Sequence, residues 1–558
     1  MRIFKFSAVN FLAAFLLFSF SCYSQNKEAQ VDSLMKNFNN DTPGAVVGVY
    51  KDGEMIFSEA YGLANLAHEV PNTVNTKFNL GSASKQFVAF AITLLASRDS
   101  LSLNDPVRKY IPELPEFKEE VTLRHLLSHT SGYRETYVPS VFKGRIPDED
   151  LLTRKGAIEV VQNQPELEFS PGSEFMYNSS GFVLLSEIVE RVTNKSYQEW
   201  MEKNVFVPLD MKNSINEMEV EQVIIGAADS YFKSDRGHYI TDFSNRAYYG
   251  AADLYTNLED IGKWFNNFKT GKVGGEWVKK TMRENYKFTG GDTSDYSLGL
   301  FVDDYKGLKR IWHSGAHAGY RAVLIYYPEI DGGVTVLSNY NQVPSTSVGF
   351  DVSKIFFAGH MDNSESATAT NMEKEIKTLQ VDEDILKRYE GTYYTEERNP
   401  RVYSMEVENG VLYGAFYMSG ERLPFEALSE TLFSLNNSPS NLKFIVEEDG
   451  SVNGGVVPYR GNVVFKRVYE PSINKLKEYV GNFYSPELNY YHEVDLKADT
   501  LIYNLPNEKT KLLSTQKDEF LGRDLPVTVR YERNDNGEIA GYYISGGRTR
   551  NIWFEKKS

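Results

Sequence analysis

The sequence predicts an α+β domain, in which helices flank one antiparallel sheet, followed by two small all-β barrels. Residues 30–360 combine strand-like runs at both ends with helical runs between them, a pattern typical of α+β proteins. After Lys387 the helical periodicity largely disappears, and short alternating runs separated by Gly, Asn and Asp take over. That second half also contains an internal repeat. A chain of 558 residues is too long for one hydrophobic core, which favours several domains.

The first residues are typical of an export signal. A short basic start precedes an almost wholly apolar stretch, residues 6–20, which is too short to span a bilayer. Small residues then lie at the −3 and −1 positions of a cleavage site after Ser24. We therefore expect a signal peptide at residues 1–24 and a mature protein that is periplasmic or secreted.

Cys22 is the only cysteine, and its acylation as a lipid anchor is the alternative to simple cleavage. Ser19 and Phe20 argue against the anchor, because a lipobox prefers Leu and a small residue at these positions. If cleavage removes Cys22, the mature protein has no thiol, which excludes disulfides and cysteine catalysis. No later stretch is long and apolar enough to predict a membrane span.

Residues 25–360 are predicted to form the α+β domain. Its strand-like runs alternate or are continuously apolar, and its helices have apolar residues at helical spacing. The predicted strands are Gly44–Tyr50, Glu54–Tyr61, Val323–Tyr327 and Gly333–Ser338, and the predicted helices are Phe87–Leu95 and Gly181–Val192. The net charge of −16, without a basic stripe to offset it, excludes nucleic acid as a partner.

A small and polar stretch predicts a linker at residues 361–380. Beyond it, Leu386–Thr395 matches Leu476–Ser485 at an offset of 90 residues, and a second match near the end of each copy has an offset of 89. Two matches at nearly the same offset indicate a duplicated β domain, with copies at 381–470 and 471–558. A small antiparallel barrel suits this length, because it hides its own strand edges.

The candidate nucleophile is Ser82, with Lys85 as its base. A Ser followed by a Lys three residues later occurs at least eight times in this chain, so the spacing alone decides nothing. Ser82 is distinguished by Gly81 before it and the apolar helix Phe87–Leu95 after it. At a helix start, free N–H groups favour an oxyanion, and the spacing puts Lys85 on the same face. Burial of that helix favours the neutral amine, which can accept the Ser82 proton.

These residues resemble a known family. Phe78–Phe87 looks like the first motif of penicillin-recognising serine hydrolases, which include D-alanyl-D-alanine carboxypeptidases, class C β-lactamases, D-aminopeptidases and related esterases. Leu123–Gly132 and Gly250–Thr256 are similar to later segments of that family, and the resemblance covers most of residues 40–350. It implies a β-lactamase-like domain. D-aminopeptidases of the family are similar in architecture too, with two small barrels after the catalytic domain.

The resemblance implies that the second catalytic motif begins at Tyr177. Tyr177 would shuttle a proton between the nucleophile and the leaving group, and Lys85 would hold it partly ionised. Ser179 occupies the third position of the motif, where the family usually has Asn. A Ser hydroxyl is shorter than an Asn amide, so we expect Ser179 to contact substrate but to hold a peptide bond less tightly.

The third motif is read at His313, Ser314 and Gly315. The resemblance implies that His313 stabilises Tyr177 or a substrate carboxylate and, being titratable, imposes pH dependence. Ser314 and Gly315 are expected to bind substrate, the glycine by letting the substrate backbone pass close to the strand. The N–H groups of Ser82 and Ala316 would form the oxyanion hole.

His125 and His129, four residues apart, superficially suggest a metal site. No neighbouring Glu completes an H-E-x-x-H pattern, and no third ligand is obvious. The resemblance explains both as scaffold, so we predict no metal and, for acyl transfer, no other cofactor.

The predicted reaction is two-step acyl transfer on Ser82. His313, where most β-lactamases have Lys, favours cleavage of peptides that contain D-amino acids, by a D-peptidase or D-aminopeptidase. Ser179 leaves a carboxylesterase on small acyl esters open, and a β-lactamase comes third. The alternative from another class is a non-catalytic protein whose β domains bind cell wall or glycan. The intact set of Ser82, Lys85 and Tyr177 argues against it.

Overall fold

A computed structural model describes residues 27–557, apart from residues 146–149, 218, 221, 244, 246–248, 363–378, 397–399, 417–420, 436–440, 458–462, 470 and 506. The predicted signal peptide at 1–24 and most of the predicted linker at 361–380 lie outside the described residues. The described residues form two compact units, one from residues 27–133, 150–162 and 169–362, the other from residues 134–145, 163–168 and 379–557. No helix in these ranges is long and apolar enough to cross a membrane.

The first unit is built on a six-stranded antiparallel sheet. Its strands are β1 (Ala45–Lys51), β2 (Glu54–Tyr61), β3 (Phe301–Tyr305), β4 (Leu308–His317), β5 (Tyr320–Tyr327) and β6 (Gly332–Ser338). Their order in the sheet is β3-β4-β5-β6-β1-β2. Strands β1 and β6 pair with Ala45 opposite Ser338, which joins the two ends of the unit. All four predicted strands lie in this sheet, and the predicted α+β class is confirmed.

Four longer helices belong to the same unit: α1 (Lys85–Ser97), α2 (Ser179–Thr193), α3 (Leu258–Thr270) and α4 (Ser345–Phe357). Helices α3 and α4 cover opposite faces of the sheet. Phe357 of α4 packs against Gly332, whereas Phe265 of α3 packs against Gly333, and successive residues of a strand face opposite sides. Helix α1 is buried along nearly its whole length, so the sequence that follows Ser82 lies inside the unit.

The remaining elements of the first unit are short. Residues 27–35 are helical at its start. The short strands are Leu63–Asn65, Val70–Pro71, Phe78–Asn79, Ile215–Asn216, Tyr231–Lys233, Tyr239–Thr241 and Leu254–Thr256. The short helices are Leu123–Leu127, Arg154–Gln162, Tyr197–Met201, Val207–Leu209 and Gly275–Thr281, with a π-helical turn at Glu202–Phe206 and 3-10 turns at Gly81–Ser84, Val107–Lys109, Pro328–Ile330 and Ala358–His360.

The second unit contains two closed, eight-stranded antiparallel barrels, as the repeat predicts. The first barrel consists of Gly391–Thr395, Val402–Glu408, Val411–Phe416, Glu421–Ala427, Leu432–Leu435, Asn441–Val446, Val452–Val457 and Val463–Arg467. The second consists of Gly481–Ser485, Tyr490–Lys497, Thr500–Asn504, Lys509–Gln516, Glu519–Gly522, Val527–Arg533, Ile539–Gly546 and Thr549–Lys557. The residue boundaries predicted for the domains stay predictions.

The matched segments occupy equivalent positions in the two barrels. Each first strand follows a short helix and a 3-10 turn, namely Glu383–Leu386 with Lys387–Tyr389 and Ile473–Leu476 with Lys477–Tyr479. Within each barrel the first of the two aromatic residues of the first strand is fully buried, Tyr393 in one copy and Phe483 in the other. The sequence repeat therefore reflects repeated core positions.

Residues 134–145 and 163–168 belong to the unit that contains the barrels, although they are distant from them in sequence. Arg134, 1% exposed, donates to Glu168 at 2.9 Å and, through two nitrogens, to Glu487 at 2.6 and 3.0 Å. The short helix Tyr137–Phe142 ends with the Phe142 carbonyl accepting a hydrogen bond from the His492 ring. The ion-pair cluster of Arg134, Glu168 and Glu487 is therefore buried inside the second unit.

Candidate active site

Ser82 lies on the 3-10 turn Gly81–Ser84, which leads directly into helix α1. Gly81 has φ of +52°, a conformation that glycine adopts without strain, and its N–H donates to Asn79 Oδ1 at 2.7 Å. The turn leaves Ser82 partly exposed, while Lys85 is fully buried one turn later. Lys85 Nζ is 3.2 Å from Ser82 Oγ. The two residues singled out by the sequence are therefore in hydrogen-bond contact.

A second contact holds Lys85 at the carbonyl of Ala251. Lys85 Nζ donates to Ala251 O at 3.0 Å and lies 5.0 Å from the centre of the Tyr177 ring. The turn that presents this carbonyl is closed by the N–H of Gly250, which donates to Asp253 Oδ1 at 2.8 Å. Burial raises the pKa of the Asp253 carboxyl to about 7. The Gly-rich turn recognised by resemblance thus orients the amine toward Ser82.

Tyr177 precedes helix α2 in an extended segment. Asn178 is the N-cap of α2, because its Oδ1 accepts the Gly181 N–H at 2.9 Å, and its Nδ2 donates to Tyr133 O at 2.5 Å. Ser179 is the first residue of α2 and is half-buried. The helix start therefore sets the position of Tyr177 beside Lys85.

The third motif lies on β4, next to the turn of Ser82. Strand β3 pairs with β4 only as far as Trp312, so the last residues of β4, from His313 to His317, pair with β5 alone. Ser314 is half-buried and Ala316 is exposed. A Cβ added to Gly81 would lie 2.7 Å from Ala316 N, which puts that nitrogen beside the nucleophile turn. An open strand edge and a nearby N–H are what an acyl-transfer site requires.

The structure gives a reason for a glycine at 315 besides the predicted one. A Cβ on Gly315 would lie 1.8 Å from Leu80 O and 3.0 Å from Ala83 N. The glycine therefore lets the protein's own nucleophile turn pack on β4, a reason that the sequence did not indicate, and its contact with substrate stays a prediction. The sequence could not indicate this, because the contact joins residues that are distant in the chain.

Replacing Gly315 with alanine is expected to destabilise the first unit by about 1–3 kcal/mol, as overpacking usually does. Activity should fall as well, because the shift displaces Ser82. Urea denaturation and kcat/KM measure the two effects. Gly359→Ala is the matched control, since a Cβ there meets no atom within 4 Å, and it should change stability by less than about 0.5 kcal/mol. A Gly315→Ala protein as stable and active as this control would contradict the packing argument.

His313 is bound by the protein on both ring nitrogens. Its Nδ1 lies 2.6 Å from Ser314 O, and its Nε2 lies 3.1 Å from the hydroxyl of Tyr296. Burial, and then the positive charge of Lys85, lowers the pKa of His313 to about 3. Both ring nitrogens therefore contact protein groups, and the lowered pKa favours a neutral ring; the predicted catalytic role of His313 stays a prediction.

His125 and His129 contact different protein groups. His125 Nδ1 accepts the Thr122 N–H in a capping box, whereas His129 contacts the Asn178 N–H and the hydroxyl of Tyr296. Among the described residues, no group of three or more His, Cys, Asp or Glu side chains could hold a metal ion. Nothing in the sequence distinguishes Tyr296, because the chain has 36 tyrosines and Tyr296 lies in none of the motifs named above.

A model of the β-lactamase family matches residues 31–350, more than half of the chain. Penicillin-binding protein 4* of Bacillus subtilis is 24% identical over 455 residues, which cover 76% of this chain and 98% of that protein. The D-aminopeptidase of Gluconobacter oxydans is 26% identical over 318 residues, 57% of this chain but only 59% of that protein. A D-aminopeptidase of Brucella anthropi is 25% identical over 294 residues, 53% of this chain and 55% of that protein.

Solved structures share the fold. The octameric penicillin-binding protein homologue from Pyrococcus abyssi has a TM-score of 0.55 and 23% identity, covering 79% of this chain and 100% of that chain. A D-amino acid amidase from Ochrobactrum anthropi has a TM-score of 0.51 and 19% identity, covering 60% of this chain and 99% of that chain. The family match, together with the fold, shows that the chain belongs to the β-lactamase family and is a serine hydrolase.

Proposed function

We propose that this protein is an exported hydrolase that cleaves amide bonds of peptides containing D-amino acids, through an acyl-enzyme on Ser82. The observation that carries the proposal is the 3.2 Å contact between Ser82 Oγ and the buried amine of Lys85. A serine oxygen beside an amine that can take its proton is an activated nucleophile. Export rests on the basic, apolar and small residues of positions 1–24.

In the acylation step, Ser82 Oγ attacks the amide carbon while its proton passes to Lys85 Nζ. The carbonyl becomes an oxyanion, which the N–H groups of Ser82 and Ala316 stabilise. The proton then passes through the Tyr177 hydroxyl to the leaving amine as the C–N bond breaks. Water attacks the resulting ester, gives its proton to the same groups, and releases the acid and free Ser82. No metal or organic cofactor enters any step.

The D-amide preference rests on two kinds of support. Two D-aminopeptidases match 57% and 53% of this chain, and amide cleavage is the chemistry that their names give. The edge of β4 beyond Trp312, where the pairing with β3 has ended, can accept an extended peptide as an added strand, with backbone hydrogen bonds giving affinity. Ser314 and Ser179 are both half-buried, and we expect them to contact the bound peptide.

Ester hydrolysis is the second candidate, and Ser179 is the observation that favours it. A hydroxyl at this position offers one short donor where an Asn amide would both donate to and accept from a peptide bond. An ester places lower demands on the site, because its alcohol leaves more readily than an amine. Hydrolysis of β-lactams comes third, because His313 occupies the position where most β-lactamases have Lys.

The test is a substrate panel on the mature protein, with Ser82→Ala as the control. The panel contains D-alanine and L-alanine p-nitroanilides, a p-nitrophenyl ester and a chromogenic cephalosporin. We expect the D-anilide to give the highest kcat/KM, at least about tenfold above the L-anilide, and Ser82→Ala to lose this activity. Preference for the ester would replace peptidase with esterase. No turnover and no labelling by a fluorophosphonate would contradict an enzyme and favour a binding protein.

A further inference from the structure

We propose that His129 and Tyr296 are positioning residues that hold Tyr177 and His313 in their working geometry through a directional chain of hydrogen bonds. The inference rests on the proposed acyl transfer, in which Tyr177 moves the proton. Neither residue touches Ser82 or Lys85 in the contacts described above. They act on the second and third motifs together, which are separated by more than 130 residues in sequence.

The chain runs through four contacts. The Asn178 N–H donates to His129 Nδ1 at 3.0 Å, and His129 Nε2 lies 3.2 Å from the Tyr296 hydroxyl. That hydroxyl lies 3.1 Å from His313 Nε2, and His313 Nδ1 lies 2.6 Å from Ser314 O. The chain therefore begins at the backbone next to Tyr177 and ends at the backbone of β4.

The two backbone ends set the direction of every hydrogen bond between them. Because an N–H can only donate, His129 Nδ1 accepts, and its Nε2 carries the proton when the ring is neutral. Because a carbonyl can only accept, His313 Nδ1 donates, so its Nε2 accepts. The Tyr296 hydroxyl thus accepts from His129 and donates to His313. Every contact in the chain then joins one donor to one acceptor while both imidazole rings are neutral. The tautomers of the two histidines are assigned from this network.

Burial keeps this chain in one protonation state. His129 and Tyr296 are each 1% exposed, and His313 is 2% exposed. Burial raises the pKa of the Tyr296 hydroxyl well above its usual value, while the pKa of His313 is lowered to about 3. Near neutral pH the Tyr296 hydroxyl therefore stays protonated and the His313 ring stays neutral, so these two groups act as fixed dipoles.

His129 fixes Tyr177 from three directions. Its carbonyl accepts the Met176 N–H at 2.8 Å, and its Nδ1 accepts the Asn178 N–H, so the residues before and after Tyr177 are both bound to His129. The His129 ring also packs on the Tyr177 ring, with centroids 4.2 Å apart. His129 has φ of +58°, which is uncommon for a side chain of this size and persists only where the surroundings demand it.

Tyr296→Phe is the most direct test, because it removes the central hydroxyl and keeps the ring. We expect kcat on the best substrate of the panel to fall about 10- to 100-fold, with KM changed less than about threefold, since a small misplacement of catalytic groups has effects of this size. His313 Nε2 also loses its donor, so the acid limb of the kcat–pH profile should move to higher pH. Tyr286→Phe is the matched control, because the Tyr286 ring packs against His125 and Phe288 and its hydroxyl is not one of the groups in the chain, so this variant should keep the wild-type profile.

Fluorophosphonate labelling separates this inference from the proposed function. The reagent needs only the nucleophile and its base, so Tyr296→Phe should still be labelled to completion. Wild-type kinetics in Tyr296→Phe would overturn the inference and leave the proposed function standing. If that variant does not fold, His129→Asn decides by the same readouts, because Asn tolerates the backbone conformation but cannot reach Tyr296. A wild-type protein that is neither labelled nor active would refute the proposed function and this inference with it.

Discussion

Replacing Lys85 with methionine is expected to lower kcat/KM by about 1,000-fold without unfolding the protein. The loss follows from removing the base 3.2 Å from Ser82 Oγ, and general-base catalysis contributes about 100- to 10,000-fold. Methionine is similar in length, so the buried space stays filled. Ala251 O and Ser82 Oγ each lose a described donor, and the loss at the buried carbonyl costs about 1–3 kcal/mol of stability. Kinetics on the best substrate and urea denaturation measure both effects.

Lys36→Met is a control that the chain itself offers. Ser33 and Lys36 have the same spacing as the candidate pair, but both are exposed. Removing the Lys36 amine should leave kcat/KM unchanged, which would show that burial and position matter rather than the spacing. A Lys85→Met protein that keeps more than a tenth of wild-type activity would contradict the role of Lys85 as base.

Replacing Arg134 with methionine is expected to destabilise the second unit by about 3–5 kcal/mol. Removing one partner of a buried ion pair leaves uncompensated charge, and such losses are of this size. Here Glu168 and Glu487, 0% and 6% exposed, would both lose the guanidinium that binds them. The unfolding transition that includes the second barrel should shift to lower urea concentration and lower temperature.

The Arg134→Met effect should depend on pH with a definite sign. Burial raises the pKa of the Glu168 carboxyl and of the Glu487 carboxyl, and Arg134 opposes this in the wild type. Without the guanidinium, the folded variant binds protons more readily than its unfolded chain. The contribution of these two carboxyls to the free energy of unfolding is therefore most favourable at low pH and is lost as pH rises. The loss in free energy of unfolding relative to wild type should then be smaller at pH 5 than at pH 8.

Arg422→Met is the matched control for this cluster. Arg422 pairs with Glu408 on the surface of the first barrel, with 39% and 54% of the two side chains exposed. Exposed pairs contribute about 0–1 kcal/mol, so this substitution should shift the transition little and with little pH dependence. Equal effects of Arg134→Met and Arg422→Met would show that the buried cluster adds nothing to stability.

Local patterns made much of the fold predictable. Alternation and helical spacing indicate β1, β2, α1 and α2. The spacing of apolar residues along the chain shows which face of a strand or helix is buried. The repeat of Leu386–Thr395 indicates two equal β domains, although not eight strands in each. The assignment of residues 134–145 to the barrel unit could not be predicted, since the ion pair between Arg134 and Glu487 joins positions 353 residues apart.

In the candidate site, too, contacts between sequence neighbours could be predicted and contacts between distant segments could not. Ser82 and Lys85 are neighbours on one turn, so their contact follows from local spacing and a buried helix. The carbonyl of Ala251, the hydroxyl of Tyr296 and the packing of Leu80 on Gly315 all depend on chain segments that meet only in the folded protein. Sequence reasoning therefore located the candidate groups of the site but could not show that His313 is buried and hydrogen-bonded on both ring nitrogens.

The most direct test of the central claim is peptide mapping of the mature protein by mass spectrometry after reaction with a fluorophosphonate. Ser82 as the nucleophile predicts one adduct per chain, on the peptide that contains Ser82, and no adduct in Ser82→Ala. An adduct on another serine, such as Ser33 or Ser140, or full labelling of Ser82→Ala, would contradict it.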